Sequence, residues 1–594
     1  MKFNKDKLIY GLGAIAFFVL FFAWFFLFDS YQLVFKEQTQ LFKTGFAFFR
    51  SFLDRPGGLC NYAGSFITQF YIDPLSASLT VTLQGVILFL ITGAILRFYK
   101  ITGLLWRLVP VVLLIPFAGA QYYQASTTAA LIISTLFFLC YINIGKPLPR
   151  YVAGAAGSFL LYFVAGSFAG LLLLLCLIHE LVYSRSGGRF IASAVYILMV
   201  WISVSISMKY LFDVKGDDIW LALIPLRLKK SIVPFFMLLL AYFPLIIGLA
   251  KPLNILFRLG QELKGRVWIK ISAGLLLFGL LSFCVVHFTY DIKTEILLQV
   301  DYSVQKGDWK KALDYSFSYP GRNQLVLYYG NMAMFKTGQM GDRMFHLPQA
   351  GVRGLWLDWK RNEITPFLGG ELFYQLGYIS EAHRWAFESM EAMGENPRSL
   401  KRLVTTSIIT GDTSVARHYL NSLDRTLFYR KWAKHYSELL NHPRSVDNDK
   451  EIAEKKHLNL TTDIFADSKN NDIGLAQLLA DHPDNRMAFE YLMAQKLLVK
   501  DIDGFVSLTG RIAELGFKRI PVHYEEAMLL YMNHTGRNIV PEGYSISRET
   551  IDRFSAYFRA LNNIGSDRKK ASQILFRDYG GTYWYYLNFI NVAS

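Results

Sequence analysis

Apolar runs long enough to cross a bilayer as helix, about twenty residues, recur through the first half of the chain and stop near residue 290. They are Leu8–Phe28, Ser76–Arg97, Leu104–Ala120, Ser126–Ile144, Tyr151–Gly166, Ser167–Val182, Phe190–Met208, Ile232–Ala250 and Ile271–Phe288. The stretch 151–182 is too long for one upright crossing and short for two, with Gly166 as a natural hinge. The pattern thus predicts nine spans over residues 1–290. The first run is too long, and lacks the small-residue cleavage site, to be a removed signal peptide.

Between the first two runs, residues 29–74 are too long for a plain connector. Leu33, Phe35, Leu41, Phe42, Phe46, Phe49 and Phe52 recur at helical spacing with Gln and Lys between them. This predicts an amphipathic helix lying in the outer interface. Asp54-Arg55-Pro56-Gly57-Gly58 ends it, and a second amphipathic stretch, Leu59–Ile72, leads into the next span.

From residue 291 the periodicity becomes that of polar amphipathic helices. Three segments place Ala five residues after Gly: Gly307 to Ala312, Gly377 to Ala382 and Gly411 to Ala416. The last two glycines are 34 residues apart, the tetratricopeptide period, in which Gly ends one helix and Ala lets the next pack closely. The fold class predicted is therefore all-α: a polytopic membrane domain followed by a tetratricopeptide-like α-solenoid over 291–440. The charged stretch 441–471 reads as a linker or loop, and 472–594 as further helical repeats with Tyr583-Trp584-Tyr585-Tyr586 as a cap.

Composition agrees with a membrane protein: 53% of the 594 residues are hydrophobic and only 18% charged, which excludes disorder and a disulfide scaffold. The net charge of +16 suggests nucleic acid until it is divided by position. Residues 1–290 hold 24 Lys+Arg against 10 Asp+Glu, and residues 291–594 hold 38 against 36. The excess belongs to the apolar half, where basic loops orient helices and meet anionic headgroups, so a nucleic-acid partner is excluded.

With the amino terminus cytoplasmic, inner segments carry 15 basic residues and outer loops 9. The expected location is a bacterial inner (plasma) membrane, multi-pass, with an extracytoplasmic carboxy-terminal domain. That domain contains no Cys, as an oxidising compartment favours and as chance also allows.

No Walker loop, dinucleotide fingerprint, His-Glu-x-x-His or Cys-x-x-Cys is present. Chemistry is therefore expected at the outer membrane face. The polar residues there are Asp29, Glu37, Arg50, Asp54 and Arg55, then Gln121, Tyr122, Tyr123 and Gln124, then Asp213, Asp217 and Asp218. Each also has a structural role open to it. Asp29 can mark where the first span meets water, Arg50 and Arg55 can snorkel, Asp217-Asp218 can cap a helix, and His179-Glu180 can sit at a helix end.

A first span, a long outer loop of interfacial helices bearing acids, more spans and an outer tetratricopeptide domain form a layout that can be compared. It resembles the polyprenyl-phosphate-sugar-dependent glycosyltransferases of the C-type membrane fold, nearest in architecture to the endoplasmic O-mannosyltransferases. The resemblance implies Asp29 and Glu37 as catalytic acids, with Asp29 as base or metal ligand. It implies Arg50, Arg55, Tyr122 and Tyr123 as substrate-binding residues, the arginines on a polyprenyl-phosphate lipid. It leaves the cofactor open, a divalent metal ion being the one it admits. The class usually has adjacent acids after span one, whereas Asp29 is followed by Ser30. The Arg55–Leu59 run and the terminal Tyr-Trp-Tyr-Tyr are also similar to an uncharacterised family of bacterial inner-membrane proteins.

The alternative is a non-enzymatic scaffold of an envelope assembly or export complex, anchored in the lipid bilayer and holding a protein partner through the solenoid. A secondary transporter fits less well, because the spans show no internal repeat and few ionisable groups at mid-depth.

Overall fold

The computed structural model describes residues 5–212, 219–252, 267–349, 351–442, 447–460, 471–564 and 567–591, with side chains from residue 10 and, after the break at 253, from residue 274. Among these the chain is helical, with no β-strand. It divides into two compact units, Met1–Ile292 with Arg425–Phe428, and Lys293–Asp424 with Tyr429–Ser594.

Five helices among the described residues, fewer than the nine expected, are long and apolar enough to cross a membrane: Tyr10–Gln38, Pro74–Phe98, Ala125–Ile142, Pro147–Ala165 and Arg189–Leu211. Three expected spans fall on shorter apolar helices, Leu104–Ala118, Phe168–Tyr183 and Val233–Gly248. A sixth candidate arises only if Gly274–Thr289 and Ile292–Gln305, separated by a break, count as one span. Prolines explain one shortening: Pro110 lies inside Leu104–Val112, and Pro116 begins the next short helix, Ile115–Ala118.

The first span also ends elsewhere than its apolar run does. Lys5–Trp24 continues through a π-helical turn, Phe25–Asp29, into Ser30–Gln38. The single interfacial helix expected over Leu33–Phe52 is instead two pieces, Ser30–Gln38 and the short Phe46–Arg50, while Gly58–Thr68 lies in the second amphipathic stretch, Leu59–Ile72. At the Asp54–Gly58 turn a Cβ on Gly58 would lie 1.9 Å from the Phe52 carbonyl oxygen, so only glycine fits there. Close approach recurs between the apolar helices. A Cβ on Gly157 would meet Phe137 at 2.3 Å and one on Gly154 would meet Tyr196 at 2.5 Å, the small-residue contact that lets apolar helices pack without hydrophobic drive.

Helix ends in this unit gather into two polar layers. In one, Thr127 donates to Leu223 O at 3.0 Å, Tyr162 Oη to Ile219 O at 2.9 Å and Ser167 Oγ to Trp220 O at 2.6 Å. In the other, Tyr183 Oη donates to Ile247 O and Lys251 Nζ to Val182 O, both at 2.6 Å. Each layer supplies hydrogen bonds to carbonyls that an apolar surrounding would leave bare.

The second unit is built of successive helix pairs. Ile364–Leu376, Ile379–Met393, Pro397–Thr410, Thr413–Asp424 and Arg430–Asn441 each pack on the next. The Gly-to-Ala spacing has a local explanation. Gly377 and Gly411 close helices in the left-handed conformation (φ 100° and 87°), and Ala312, Ala382 and Ala416 are fully buried. Within the segment expected as a linker lies the helix Lys450–His457, with Ile452 and Lys455 buried. Tyr583, Trp584, Tyr585 and Tyr586 are core residues, and Trp584 Nε1 donates to Glu526 O at 2.9 Å.

Two buried ion pairs tie the second unit together. Arg398 Nη1 lies 2.9 and 3.0 Å from the two carboxylate oxygens of Asp301, and Tyr329 Oη donates to the same carboxylate at 2.8 Å. Arg402 Nη2 donates to Glu371 at 2.5 Å, and its guanidinium stacks 3.5 Å over the Tyr374 ring. Burial alone would raise the Glu371 carboxyl, but Arg402, Gln375 and Arg398 hold it below the usual carboxylate range.

Gly377→Ala and Gly411→Ala both force a Cβ into left-handed backbone, which costs roughly 1 kcal/mol. Only at Gly377 does that Cβ also strike backbone, 2.4 Å from the Leu458 carbonyl oxygen. Thermal melting of the purified protein should therefore fall markedly further for Gly377→Ala; equal shifts would contradict this packing.

Candidate functional site

Asp29 lies inside the first apolar helix, in its π-helical turn, rather than in a loop after it. π-Turns insert one extra residue and often re-aim a side chain. Here the turn directs Asp29 inward: it is 7% exposed, and its neighbour Ser30 is fully buried. Gln32 Nε2 donates to Asp29 Oδ1 at 2.5 Å. A Cβ on Gly119 would sit 2.2 Å from Asp29 Oδ2, so the carboxyl rests against the bare backbone of that glycine.

Seven residues on, at the same face of the helix, Lys36 reaches the same place. Its Nζ donates to Ala118 O, to Tyr123 O at 2.9 Å and to Phe117 O at 3.5 Å. These carbonyls include the unsatisfied end of Ile115–Ala118, where a cation meets the negative pole of the helix. Asp29 and Lys36 attract one another across this turn. The sequence pointed to Asp29 and passed over Lys36; a lysine spaced seven after an acid in an otherwise apolar helix was the available signal.

The other expected site residues are dispersed. Glu37 is buried at 3% exposure and accepts from Gln38 Nε2. Arg50, Asp54 and Arg55 are exposed. Tyr123 is buried, with its ring stacked on Phe117 and its hydroxyl 3.1 Å from Thr128 Oγ1, while Tyr122 is 46% exposed. Gln121 and Gln124 are exposed. Asp213, Asp217 and Asp218 lie outside the described residues. Of the six residues expected to act, Asp29 and Tyr123 share a cluster, joined through Lys36.

A second buried cluster forms where other helix ends meet. Glu180, fully buried, accepts from Tyr141 Oη and Arg150 Nε, each at 2.7 Å, and from Arg150 Nη2 at 3.3 Å. Tyr196 lies 3.2 Å from Tyr141 Oη, and Tyr99 Oη lies 2.7 Å from His179 Nδ1. Again a π-turn, His179–Tyr183, carries the acid. His179-Glu180 was visible in the sequence as polarity at a helix end. Its partners Tyr99, Tyr141, Arg150 and Tyr196 come from four other elements, which spacing cannot reveal.

Both clusters set a buried carboxylate beside a cation, with backbone carbonyls around Lys36 in the first and tyrosine hydroxyls in the second. A carboxylate so enclosed can fasten helices, accept a proton, or hold a cation that replaces its partner.

A family model matches residues 6–590, nearly the whole chain. The chain belongs to DUF6057, a family of unknown function. No curated protein and no solved structure matches it. Membership therefore adds no ligand to the two clusters, and their chemistry rests on the geometry above.

The Arg150–Glu180 pair yields a double-mutant test. Arg150→Met leaves Glu180 buried without its cation, a cost on the order of 3–5 kcal/mol, whereas replacing both partners with apolar groups is close to neutral. In detergent, heat resistance should fall for Arg150→Met and largely return in Arg150→Met/Glu180→Met. A double variant as weak as the single would mean that the pair is more than a fastening.

Proposed function

We propose that the chain is a multi-pass membrane protein that holds a protein partner at the membrane through its second unit, as a scaffold rather than as an enzyme. One observation carries this: the successive helix pairs of 364–441, closed by left-handed glycines and packed on buried alanines. Stacked pairs of this kind leave continuous helical faces, which tetratricopeptide-like solenoids use to grip peptides. The buried charges of the first unit fit the same view, since Asp29 and Glu180 are each engaged by groups of the unit itself.

The nine-pass topology is part of the proposal. Supporting it, the short helices Leu104–Ala118, Phe168–Tyr183 and Val233–Gly248 make polar contacts near their ends, where Ala118 O accepts from Lys36, Glu180 from Tyr141 and Ile247 O from Tyr183. The 15-to-9 distribution of basic residues supports a cytoplasmic amino terminus in a bacterial inner membrane. The second unit then faces outside. A reporter active only outside the cytoplasm, fused after Ser594, should be active; an inactive reporter with a working cytoplasmic counterpart would overturn the topology.

Scaffolding predicts that Ala416→Arg, which puts a bulky charge into a fully buried site, abolishes co-purification of a protein partner while membrane insertion persists. A specific observation also favours the transferase: a carboxylate buried in a π-turn within the first apolar helix. There Asp29 would be the general base that activates an acceptor hydroxyl toward a lipid-linked sugar. A scaffold retains its partner when Asp29 becomes Asn. A transferase loses glycosylated product in Asp29→Asn at unchanged protein abundance, and that result would displace the scaffold.

A further inference from the structure

One group of ligating side chains lies apart from both buried clusters. His457 ends the helix Lys450–His457, His482 follows the helix Asn471–Asp481, and Asp484 stands in the turn before Arg486–Leu498. Their ligand atoms all lie within 4.8 Å of one another. His457 Nε2 and Asp484 Oδ2 are 2.9 Å apart, and the two imidazole centroids are 5.5 Å apart.

Surface His–Asp pairs are common, and this one is exposed, with side chains 60% and 66% accessible. The third member distinguishes it. His482 Nε2 lies 3.0 Å from the Asn459 carbonyl oxygen, and only an Nε2–H can bond there. In the neutral imidazole, that bond makes Nδ1 the nitrogen that carries the lone pair. A histidine that ligates a metal is held in this way, its other nitrogen donating to a carbonyl that fixes ring and tautomer.

We propose that His457, His482 and Asp484 bind a divalent transition-metal ion of the zinc class. Two imidazole nitrogens and one carboxylate oxygen are the donor set such ions favour over magnesium or calcium, which take oxygen. Bonds of about 2.0–2.2 Å to one tetrahedral ion put neighbouring donor atoms about 3.3 Å apart. At 2.9 Å the His457–Asp484 pair is slightly closer than that, and rotation of the exposed His457 and Asp484 side chains opens it and brings both donors to the half-buried His482. When the ion enters, His457 binds through Nε2, and any proton there moves to Nδ1 or to solvent. Water completes the coordination.

The ion would close a loop between two helix ends 25 residues apart in sequence (457 to 482) and fasten both to the start of Arg486–Leu498. Metal binding to the folded chain then adds directly to its stability.

The test uses full-length, untagged protein in detergent, stripped with a chelator and titrated with Zn²⁺ against a chromophoric competitor. One equivalent should bind, and the melting temperature should rise with Zn²⁺. His482→Ala and Asp484→Asn should each weaken binding at least tenfold and abolish the rise. Co²⁺ should give the visible absorption of a tetrahedral nitrogen–oxygen site, absent in His457→Ala/His482→Ala. The metal-free melting temperatures of the variants show whether they fold. Binding equal in wild type and folded variants, or no equivalent in wild type, would overturn the proposal.

Discussion

Charge at the ends of apolar helices has to be neutralised within the unit, and this constraint shapes the first unit. A helix crossing hydrocarbon satisfies its own interior backbone but not its last turn, and an ionised side chain there gains nothing from lipid. The unit meets both demands with the same groups. Lys36 serves as cation for Asp29 and as donor to the bare carbonyls of Ala118 and Tyr123. Arg150 likewise serves Glu180 as cation, and its Nη2, which also meets Glu180, donates to Ser184 Oγ at 3.2 Å. Removing one partner exposes the desolvation cost of the other, so each such pair binds its helices more by the penalty of separation than by net attraction.

The same economy recurs in the second unit with more hydrogen bonds per charge. Arg398 meets both oxygens of Asp301 and the hydroxyl of Tyr329, which also lies 3.0 Å from Leu368 O. Burial opposes the charge of Arg398, yet Asp301 and Tyr329 hold its guanidinium above the ordinary value. One guanidinium nitrogen on both carboxylate oxygens and a bridging phenol tie together the helices Ile292–Gln305, Gln324–Lys336 and Pro397–Thr410. Apolar packing alone would leave their register degenerate.

Helix type and the change of character near residue 290 were legible in the sequence because each follows from local periodicity. Gly377 and Ala382 were legible for the same reason, since a left-handed closure and a tight crossing lie five residues apart. Span lengths were not. Leu104–Ala118 looks like a full apolar run, but Pro110 and Pro116 break it, and the run Leu8–Phe28 continues ten residues further through polar Gln32 and Lys36 because a π-turn keeps the helix going. The candidate site was half legible: Asp29 announces itself by position. Gly119, whose bare backbone seats the carboxyl, and Arg150, which neutralises Glu180, are distant in sequence and chemically ordinary. The triad His457, His482 and Asp484 escaped for a similar reason, its first two members being 25 residues apart without a known metal spacing.

What Asp29 can do depends on what its carboxyl is already doing. A general base needs an acceptor position within about 2.6–3.2 Å of the proton it takes. One oxygen of Asp29 accepts from Gln32, and the other lies against Gly119. Lys36 cannot leave to make room without abandoning three carbonyls at a helix end. A base at this carboxylate would thus need Gln32, a half-buried amide, to rotate away while Lys36 stays. The cation would then face both the base and any phosphate brought to it. Gln32 rather than Asp29 is therefore the residue that keeps this carboxyl a fastening of the first helix.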